Sequence, residues 1–340
     1  MNPIISVKNL KSFYISNILD VTVVVKAVNN VTFDIFDDEI VGIAGESGCG
    51  KTTLLNTLMG IIDPPLKVFG GEIKYNLNNK YYDIVKLEED EKTKLRWNVV
   101  SYIPQGSMSI LNPIRKIKKI FFDFAKSHED LDENKFERIV DERLESLKLP
   151  LRVKNSYSHQ LSGGMRQRVA IALATIFKPK IVIADEPTTA LDVVMQRDII
   201  DLLSEIHEEE KNTMILVSHD LSIHANICAR IMIMYAGQIV EIGKTETIFE
   251  NPLHPYTKFL INSLPIIGDK KVREAAPGKP PSLLNLSEGC PFHERCPIAL
   301  PICSRKNPRL KWKTEDHAVA CFLHGGEDTY HEQINAKTYI

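Results

Sequence analysis

Apolar and polar positions change their period several times along the chain, and each change marks an element. The first apolar runs are short: Ile5-Ser6-Val7, then Val21-Thr22-Val23-Val24-Val25, then 28–36 with partial alternation. Short runs rich in β-branched residues read as strands, and strands so close in sequence are most simply antiparallel. Ile40-Val41-Gly42-Ile43-Ala44 is a continuous apolar run. After a glycine-rich stretch, Leu54-Leu55-Asn56-Thr57-Leu58-Met59 predicts a helix to about Ile62, stopped by Pro64-Pro65. Gly70-Gly71 is expected to open a strand at 72–75. The charged stretch 86–96 is helix-prone, and Val99-Val100-Ser101-Tyr102-Ile103 is a further strand ending at Pro104-Gln105.

Residues 106–178 change texture, with helices expected at about 116–126, 134–147 and 163–177, broken by Asn112-Pro113 and Pro150. Strand and helix then alternate. Ile181-Val182-Ile183-Ala184 and Thr213-Met214-Ile215-Leu216-Val217 are unbroken apolar runs, the mark of parallel strands buried on both faces, and 192–210 between them is a helix. Two further runs, 231–235 and 238–242, flank Ala236-Gly237, which reads as a hairpin turn. From Asn251 prolines crowd the chain (Pro252, Pro255, Pro265, Pro277, Pro280, Pro281) and place a boundary near 250. The expectation is an α/β domain over 1–250, with a helical subdomain at about 106–178, followed by an irregular segment over 251–340 that apolar burial alone would not hold together.

The glycine-rich stretch carries the first chemistry. Gly45-Glu46-Ser47-Gly48-Cys49-Gly50-Lys51-Thr52 places Gly-x-x-x-x-Gly-Lys-Thr between a strand and a helix, the P-loop or Walker A arrangement. Its glycines let successive N–H groups point at one centre while phosphate approaches closely, and the helix N-terminus adds partial positive charge. Ser47, Gly48, Cys49, Gly50, Lys51, Thr52 and Thr53 are the candidate nucleotide contacts. Lys51 would reach the β- and γ-phosphates, and the Thr52 hydroxyl would ligate Mg²⁺.

About 130 residues later the strand at 181–184 ends in Asp185-Glu186-Pro187, a Walker B arrangement. A carboxylate at the C-terminal end of a central parallel strand points into the ligand crevice. Asp185 would hold Mg²⁺, and Glu186 would polarise the attacking water as general base. Gln105 and His219 follow neighbouring strands and so reach the same rim. The Gln105 amide can bond Mg²⁺ and the water, and the His219 ring can donate to the γ-phosphate. Singly, each is an ordinary hydrogen-bonding residue at a strand end.

Leu161-Ser162-Gly163-Gly164-Met165-Arg166-Gln167 decides between kinds of NTPase. Ser162 is a good N-cap, and the helix start is a second anion-binding site or a plain glycine-containing cap. Leu-Ser-Gly-Gly-x-x-Gln about twenty residues before Asp185 resembles the signature of the ATP-binding cassette (ABC) ATPases. The other motifs then fall in that family's order over about 4–250. Tyr14 resembles the aromatic that stacks on adenine, with Phe13 as the alternative. The loop at 45–53 resembles Walker A, Gln105 the Q-loop, Asp185-Glu186 Walker B, Thr189-Ala190-Leu191-Asp192 the D-loop and His219 the switch histidine. The resemblance implies a P-loop RecA-like core with an antiparallel β subdomain and a helical subdomain. It implies head-to-tail pairing with a second ABC ATPase subunit, identical or different. Ser162, Gly163 and Gly164, assisted by Gln167, would contact the γ-phosphate held by the partner. ATP would close the dimer and hydrolysis would reopen it.

Three stretches narrow the resemblance: 45–51, Gln105-Gly106-Ser107-Met108-Ser109-Ile110-Leu111-Asn112-Pro113, and Asn251-Pro252-Leu253-His254-Pro255-Tyr256-Thr257. All resemble ATPase subunits of dipeptide and oligopeptide importers. Cys49 stands where that group usually has Ser, and Thr52-Thr53 where Ser-Thr or Ser-Val is commoner; the hydroxyl for Mg²⁺ is kept. The group implies transmembrane permease subunits as partners and, indirectly, an extracytoplasmic solute-binding protein. It also implies a groove beside Gln105 for a helix of the permease, with Pro104, Met108, Leu111, Pro113 and Phe121 as candidate lining or as the insert's own core. Related subunits serve oligosaccharides or nickel. A soluble ABC ATPase acting on DNA or ribosomes is a further alternative, but the chain has a single cassette, no long coiled-coil insertion and no basic stripe.

Composition bears on this picture in three places. A net charge of −2 over 340 residues gives no reason to expect nucleic acid as a partner. No apolar run reaches the roughly 18 residues of a membrane span and no secretory signal opens the chain, so the expected location is the cytoplasmic face of the membrane, held there by partners. Of six cysteines, four fall at Cys290, Cys296, Cys303 and Cys321, with five, six and seventeen residues between them. Such clustering in a reducing compartment points to metal or redox chemistry. The absence of a Cys-x₂-Cys pair argues against a common zinc ribbon, and Pro after two of the four suits a [4Fe–4S] cluster, with Zn²⁺ as the alternative. The resemblance points to the cluster too. Four unligated cysteines in an irregular tail is the plainer possibility.

Overall fold

The computed structural model describes residues 2–18, 21–77, 80–106, 110–126, 132–264 and 276–325. The first strands are longer than the apolar runs suggest. β1 (Ile5–Ile18) and β2 (Val21–Ile35) pair antiparallel along their whole length, from Ile5 opposite Ile35 to Ile18 opposite Val21. Asn9 and Asn30 adopt left-handed conformations near shifts in register, so bulges carry the strands through their polar patches. β3 (Ile40–Ala44) leads through the glycine-rich loop into α1 (Lys51–Leu58). β4 (Leu66–Leu77) and β5 (Lys80–Asp83) complete an antiparallel sheet of order β2-β1-β4-β5. β4 starts before Gly70-Gly71 rather than at them. Gly71 lies at φ 92° beside a bulge, where a Cβ would stand 2.6 Å from the Asn9 carbonyl oxygen, so the pair marks an irregularity inside the strand.

α2 (Glu89–Asn98), with a capping box at Glu88 and Glu91, leads to β6 (Val100–Ile103). The helical stretch holds α3 (Ile117–Lys126), α4 (Glu133–Ser146) and α5 (Gly163–Thr175), close to expectation. Then come β7 (Ile181–Asp185), α6 (Val193–Glu210), β8 (Thr213–Val217), α7 (Leu221–Ile227), β9 (Arg230–Tyr235) and β10 (Gln238–Lys244). α8 (Thr245–Glu250), α9 (Pro255–Asn262), β11 (Lys311–Trp312) and β12 (His317–Val319) follow.

The second sheet has the order β11-β12-β10-β9-β3-β8-β7-β6. From β9 to β6 the strands are parallel, and β10, β12 and β11 add an antiparallel edge. Every residue of β3, β7 and β8 is buried, which is why these strands read as unbroken apolar runs. Alternate side chains feed two cores. Val41, Ile43, Ile183, Ile215 and Val217 pack with α1 and the first sheet, while Ala44, Val182, Ala184 and Leu216 pack with Phe121, Phe136, Val169 and Leu203 of the helices.

The cysteine-bearing segment joins this architecture directly. β12 pairs with β10, Glu241 opposite Val319. The buried Glu241 carboxylate accepts from the Leu253 and His254 N–H groups at 2.7 and 2.9 Å and pairs with His317 Nε2 at 2.8 Å. Phe292 is buried with its ring centre 5.3 Å from Tyr235 and 5.5 Å from Tyr256. The irregular sequence thus borrows the sheet and core of the preceding residues. Among the described residues no helix is long and apolar enough to cross a membrane.

Candidate active site

The loop between β3 and α1 has the conformation its glycines require. Gly50 lies at φ 106°, and a Cβ there would meet the Ala27 carbonyl oxygen at 2.0 Å, so only glycine fits. Gly48, at φ 78°, faces open space, which leaves its backbone approachable. Lys51 Nζ donates to the Gly45 and Glu46 carbonyls at 2.8 and 3.1 Å and lies 3.8 Å from Cys49 Sγ. The ammonium is therefore held inside the loop it serves. Burial pushes the Cys49 thiol pKa up, with Lys51 opposing. Tyr14 OH lies 3.2 Å from Thr53 Oγ1, which puts the expected aromatic at the loop's edge, whereas Phe13 stacks on Phe69 at 5.1 Å.

Ends of neighbouring parallel strands bring the remaining residues to the same rim. Thr52 Oγ1 donates to Asp185 Oδ2 at 2.9 Å, and Tyr102 OH to the same oxygen at 3.3 Å. Burial raises the Asp185 pKa and the charge of Glu186 adds to it, while Thr52, Tyr102 and Lys51 oppose. A cation between Thr52 and Asp185 would offset that desolvation, so this pair fits a Mg²⁺ site by its chemistry. Glu186 accepts from Gln105 Nε2 at 3.0 Å and from Thr189 Oγ1 at 3.1 Å, and its other oxygen lies 3.5 Å from His219 Nδ1. The His219 side chain is 67 % exposed and open to a ligand.

The signature residues open α5. Ser162 is its N-cap and accepts from the Met165 N–H at 3.3 Å, and Gly163 begins the helix. A Cβ on Gly164 would stand 2.3 Å from Met195 Cε on α6, so glycine lets the two helices approach. Gln167 is only 2 % exposed, so it is packed into the helix layer rather than set at an open rim.

The expected groove beside Gln105 is corrected in part. Leu111 and Phe121 are buried in the helical core, Phe121 on the apolar face of α3 and Leu111 in the segment before it. Pro104 is half-buried and Pro113 exposed; Met108 lies outside the described residues. The apolar residues presented to solvent here are Ile110 and Ile114, 49 % and 82 % exposed.

Cys290, Cys296, Cys303 and Cys321 line one cavity with His254 and Phe292. Cys290 N–H donates to the Cys303 carbonyl at 2.8 Å. Burial pushes the Cys290 thiol up to about 12 and Cys321 to about 11, and the other cysteines add repulsion. The sequence assigned no site role to two residues. Arg295, between Cys290 and Cys296, reaches Glu46 of the phosphate-type loop with Nη1–Oε2 2.8 Å and Nη2–Oε1 3.0 Å. Tyr256 OH accepts from the Glu46 N–H at 2.9 Å. Neither contact has a local sequence signal.

Residues 28–189 match the family model described as ABC transporter, and residues 240–303 match the oligopeptide/dipeptide transporter C-terminal region. The chain is 38 % identical over 332 residues to the dipeptide transport ATP-binding protein DppD of Caldanaerobacter subterraneus subsp. tengcongensis, covering 95 % of this chain and 98 % of that protein. It is 38 % identical over 323 residues to the oligopeptide transport ATP-binding protein OppD of Escherichia coli, covering 94 % and 93 %. Among solved structures it resembles the dimeric structure of MJ0796, a bacterial ABC transporter cassette, with 30 % identity and a TM-score of 0.60 over 71 % of this chain and 98 % of that one. With its strand-end residues converging on a P-loop and its likeness extending along nearly the whole chain, the protein belongs to the ABC transporter family as an ATP-hydrolysing subunit of the branch that carries the oligopeptide/dipeptide transporter C-terminal region.

Proposed function

We propose that this chain drives the import of dipeptides or oligopeptides, as one of two cassettes paired head-to-tail beneath transmembrane permease subunits at the cytoplasmic face of the membrane. The observation that carries the catalytic part is the joining of Thr52 to Asp185 and of Gln105 and His219 to Glu186 at one strand-end rim. Lys51 and the loop N–H groups bind the phosphates. Thr52, Asp185 and Gln105 would hold Mg²⁺, which would supply charge neutralisation to the phosphates. Water attacks the γ-phosphorus and its bond to the ADP oxygen breaks. Glu186 takes the water's proton, while His219 donates to the γ-phosphate. Ser162, Gly163 and Gly164 at the start of α5 complete the site of the partner subunit, and Tyr14 supports the adenine. The match of residues 240–303 and the relatives' names support a peptide as the solute. A solute-binding protein would deliver it on the far side of the membrane.

The four cysteines suit a [4Fe–4S] cluster in the same reading. They share one cavity, and burial raises the Cys290, Cys296 and Cys321 thiols, so cationic compensation, which iron would supply, favours their thiolates. Among the described residues no three His, Cys, Asp or Glu side chains stand close enough to hold a single metal ion. Visible absorption of anaerobically purified protein tests the cluster, and a colourless protein containing one zinc ion sinks it. The transport reading is tested in proteoliposomes with the permease subunits that co-purify. ATP hydrolysis should rise with peptide-loaded binding protein, and stimulation only by sugars or nickel would overturn the choice of solute.

A further inference from the structure

We propose that Arg295 is a positioning residue of the ATPase: by clamping Glu46 it readies the 45–53 loop for phosphate, which makes nucleotide affinity depend on the segment that carries the four cysteines. The proposal rests on the ATPase assignment and not on which group the cysteines hold.

A carboxylate inside a phosphate-binding loop is an electrostatic problem. Glu46 follows the first glycine of the loop, and its charge would repel the incoming polyanion. Arg295 answers it with a bidentate fork at 2.8 and 3.0 Å. The guanidinium is itself fixed. It donates to Pro277 O at 2.7 Å, Ala276 O at 3.3 Å and Tyr235 OH at 3.1 Å, and lies 5.7 Å from the ring centres of Tyr235 and Phe292. Only 6 % of the residue is exposed. The same stretch of loop anchors the catalytic lysine, because Lys51 Nζ donates to the Glu46 carbonyl. A shift of Glu46 therefore displaces both the field of the loop and the lysine's hold. Arg295 ends a short 3₁₀ turn, His293–Arg295, that runs straight into Cys296. On its other side the Cys290 N–H donates to the Cys303 carbonyl. The arginine's place is thus set by how the cysteine segment folds, 249 residues away from the loop it serves.

The test is ATP binding and steady-state hydrolysis by the full chain. Arg295→Met keeps the apolar stem against Tyr235 and Phe292 and removes the charge. The Kd and KM for ATP should rise about tenfold, as for a partly exposed charge pair, with kcat within about twofold. Adding Glu46→Gln should bring the affinity back to within about threefold of the parent, because the repulsive charge is then gone. A purely structural arginine gains nothing from that second change. Should Arg295→Met be insoluble, Arg295→Lys replaces the fork by a point charge and should lose about threefold. Glu294→Ala, at an exposed neighbour, serves as control. Parental ATP affinity in Arg295→Met or Arg295→Lys, or a loss that Glu46→Gln does not relieve, overturns the proposal.

Discussion

Gln105 donates its side-chain amide to Glu186 Oε2 at 3.0 Å, tying the loop after β6 to the loop after β7. The same oxygen accepts from Thr189, and the opposite one faces His219 at 3.5 Å. Glu186 lies at φ 46°, a left-handed conformation that a glutamate adopts when its surroundings impose it. Its N–H, bonded to the Val217 carbonyl at 2.9 Å, is part of that imposition. The carboxylate is thus aimed by its backbone and by three side chains. Glu186→Gln preserves size and hydrogen-bonding capacity but cannot take a proton. Phosphate release should fall by about 10²–10⁴-fold while ATP still binds. Turnover within tenfold of the parent would remove Glu186 as the base.

Thr52 and Asp185 meet at 2.9 Å across 133 residues of sequence. Asp185→Asn still offers an oxygen to Thr52 and Tyr102 and lacks only the charge. The Mg²⁺ concentration for half-maximal hydrolysis should rise at least about tenfold. ATP binding measured without Mg²⁺ should stay near the parental value. A Mg²⁺ titration coinciding with that of the parent would show that Asp185 does not carry the cation.

What was legible in the sequence divides by the range of the interaction. The P-loop, the N-cap Ser162 and the apolar strands β7 and β8 are local features, and the sequence announces each of them. Gln105, Glu186 and His219 converge only through the parallel order of β6, β7 and β8, so their grouping needed the order of motifs along the whole chain. Leu111 and Phe121 were ambiguous because an apolar side chain suits a groove and a core equally, and packing gave both to the core. The Arg295–Glu46 pair had no signal at all. Arg295 lies in a stretch without periodicity, and a charged pair so far apart in sequence leaves no trace in either neighbourhood.

The shared cavity of the four cysteines makes their substitutions distinguishable from those of the other two. If the cavity holds the proposed cluster, serine in place of Cys290, Cys296, Cys303 or Cys321 should each strip most of the iron from anaerobically purified protein and bleach its visible absorption. Cys228, buried elsewhere against the α7–β3 packing, should be replaceable by Ser without loss of iron. Iron determination together with acid-labile sulfide checks both. Full iron content in Cys303→Ser and Cys321→Ser would show that the cavity does not hold the cluster.

His224 gives the fold an acid-sensitive point remote from the nucleotide. Its ring is fully buried beneath β3, where a Cβ on Gly42 would stand 2.3 Å from Cδ2, and Nδ1 lies 3.2 Å from the Asp220 carbonyl. Burial holds its pKa down to about 4, from an ordinary 6.5. Below pH 6.5 the unfolded chain takes up a proton that the folded chain refuses until about pH 4. Stability should therefore be complete above that window and fall by about 1.4 kcal/mol per pH unit through it. His254, likewise buried and held to about 4, adds a second loss of the same sign. In urea titrations between pH 7.5 and 5, His224→Gln should be less stable at neutral pH through lost packing, yet its pH slope should be shallower by one histidine's worth. Parallel slopes in variant and parent would mean that His224 titrates normally within the folded protein.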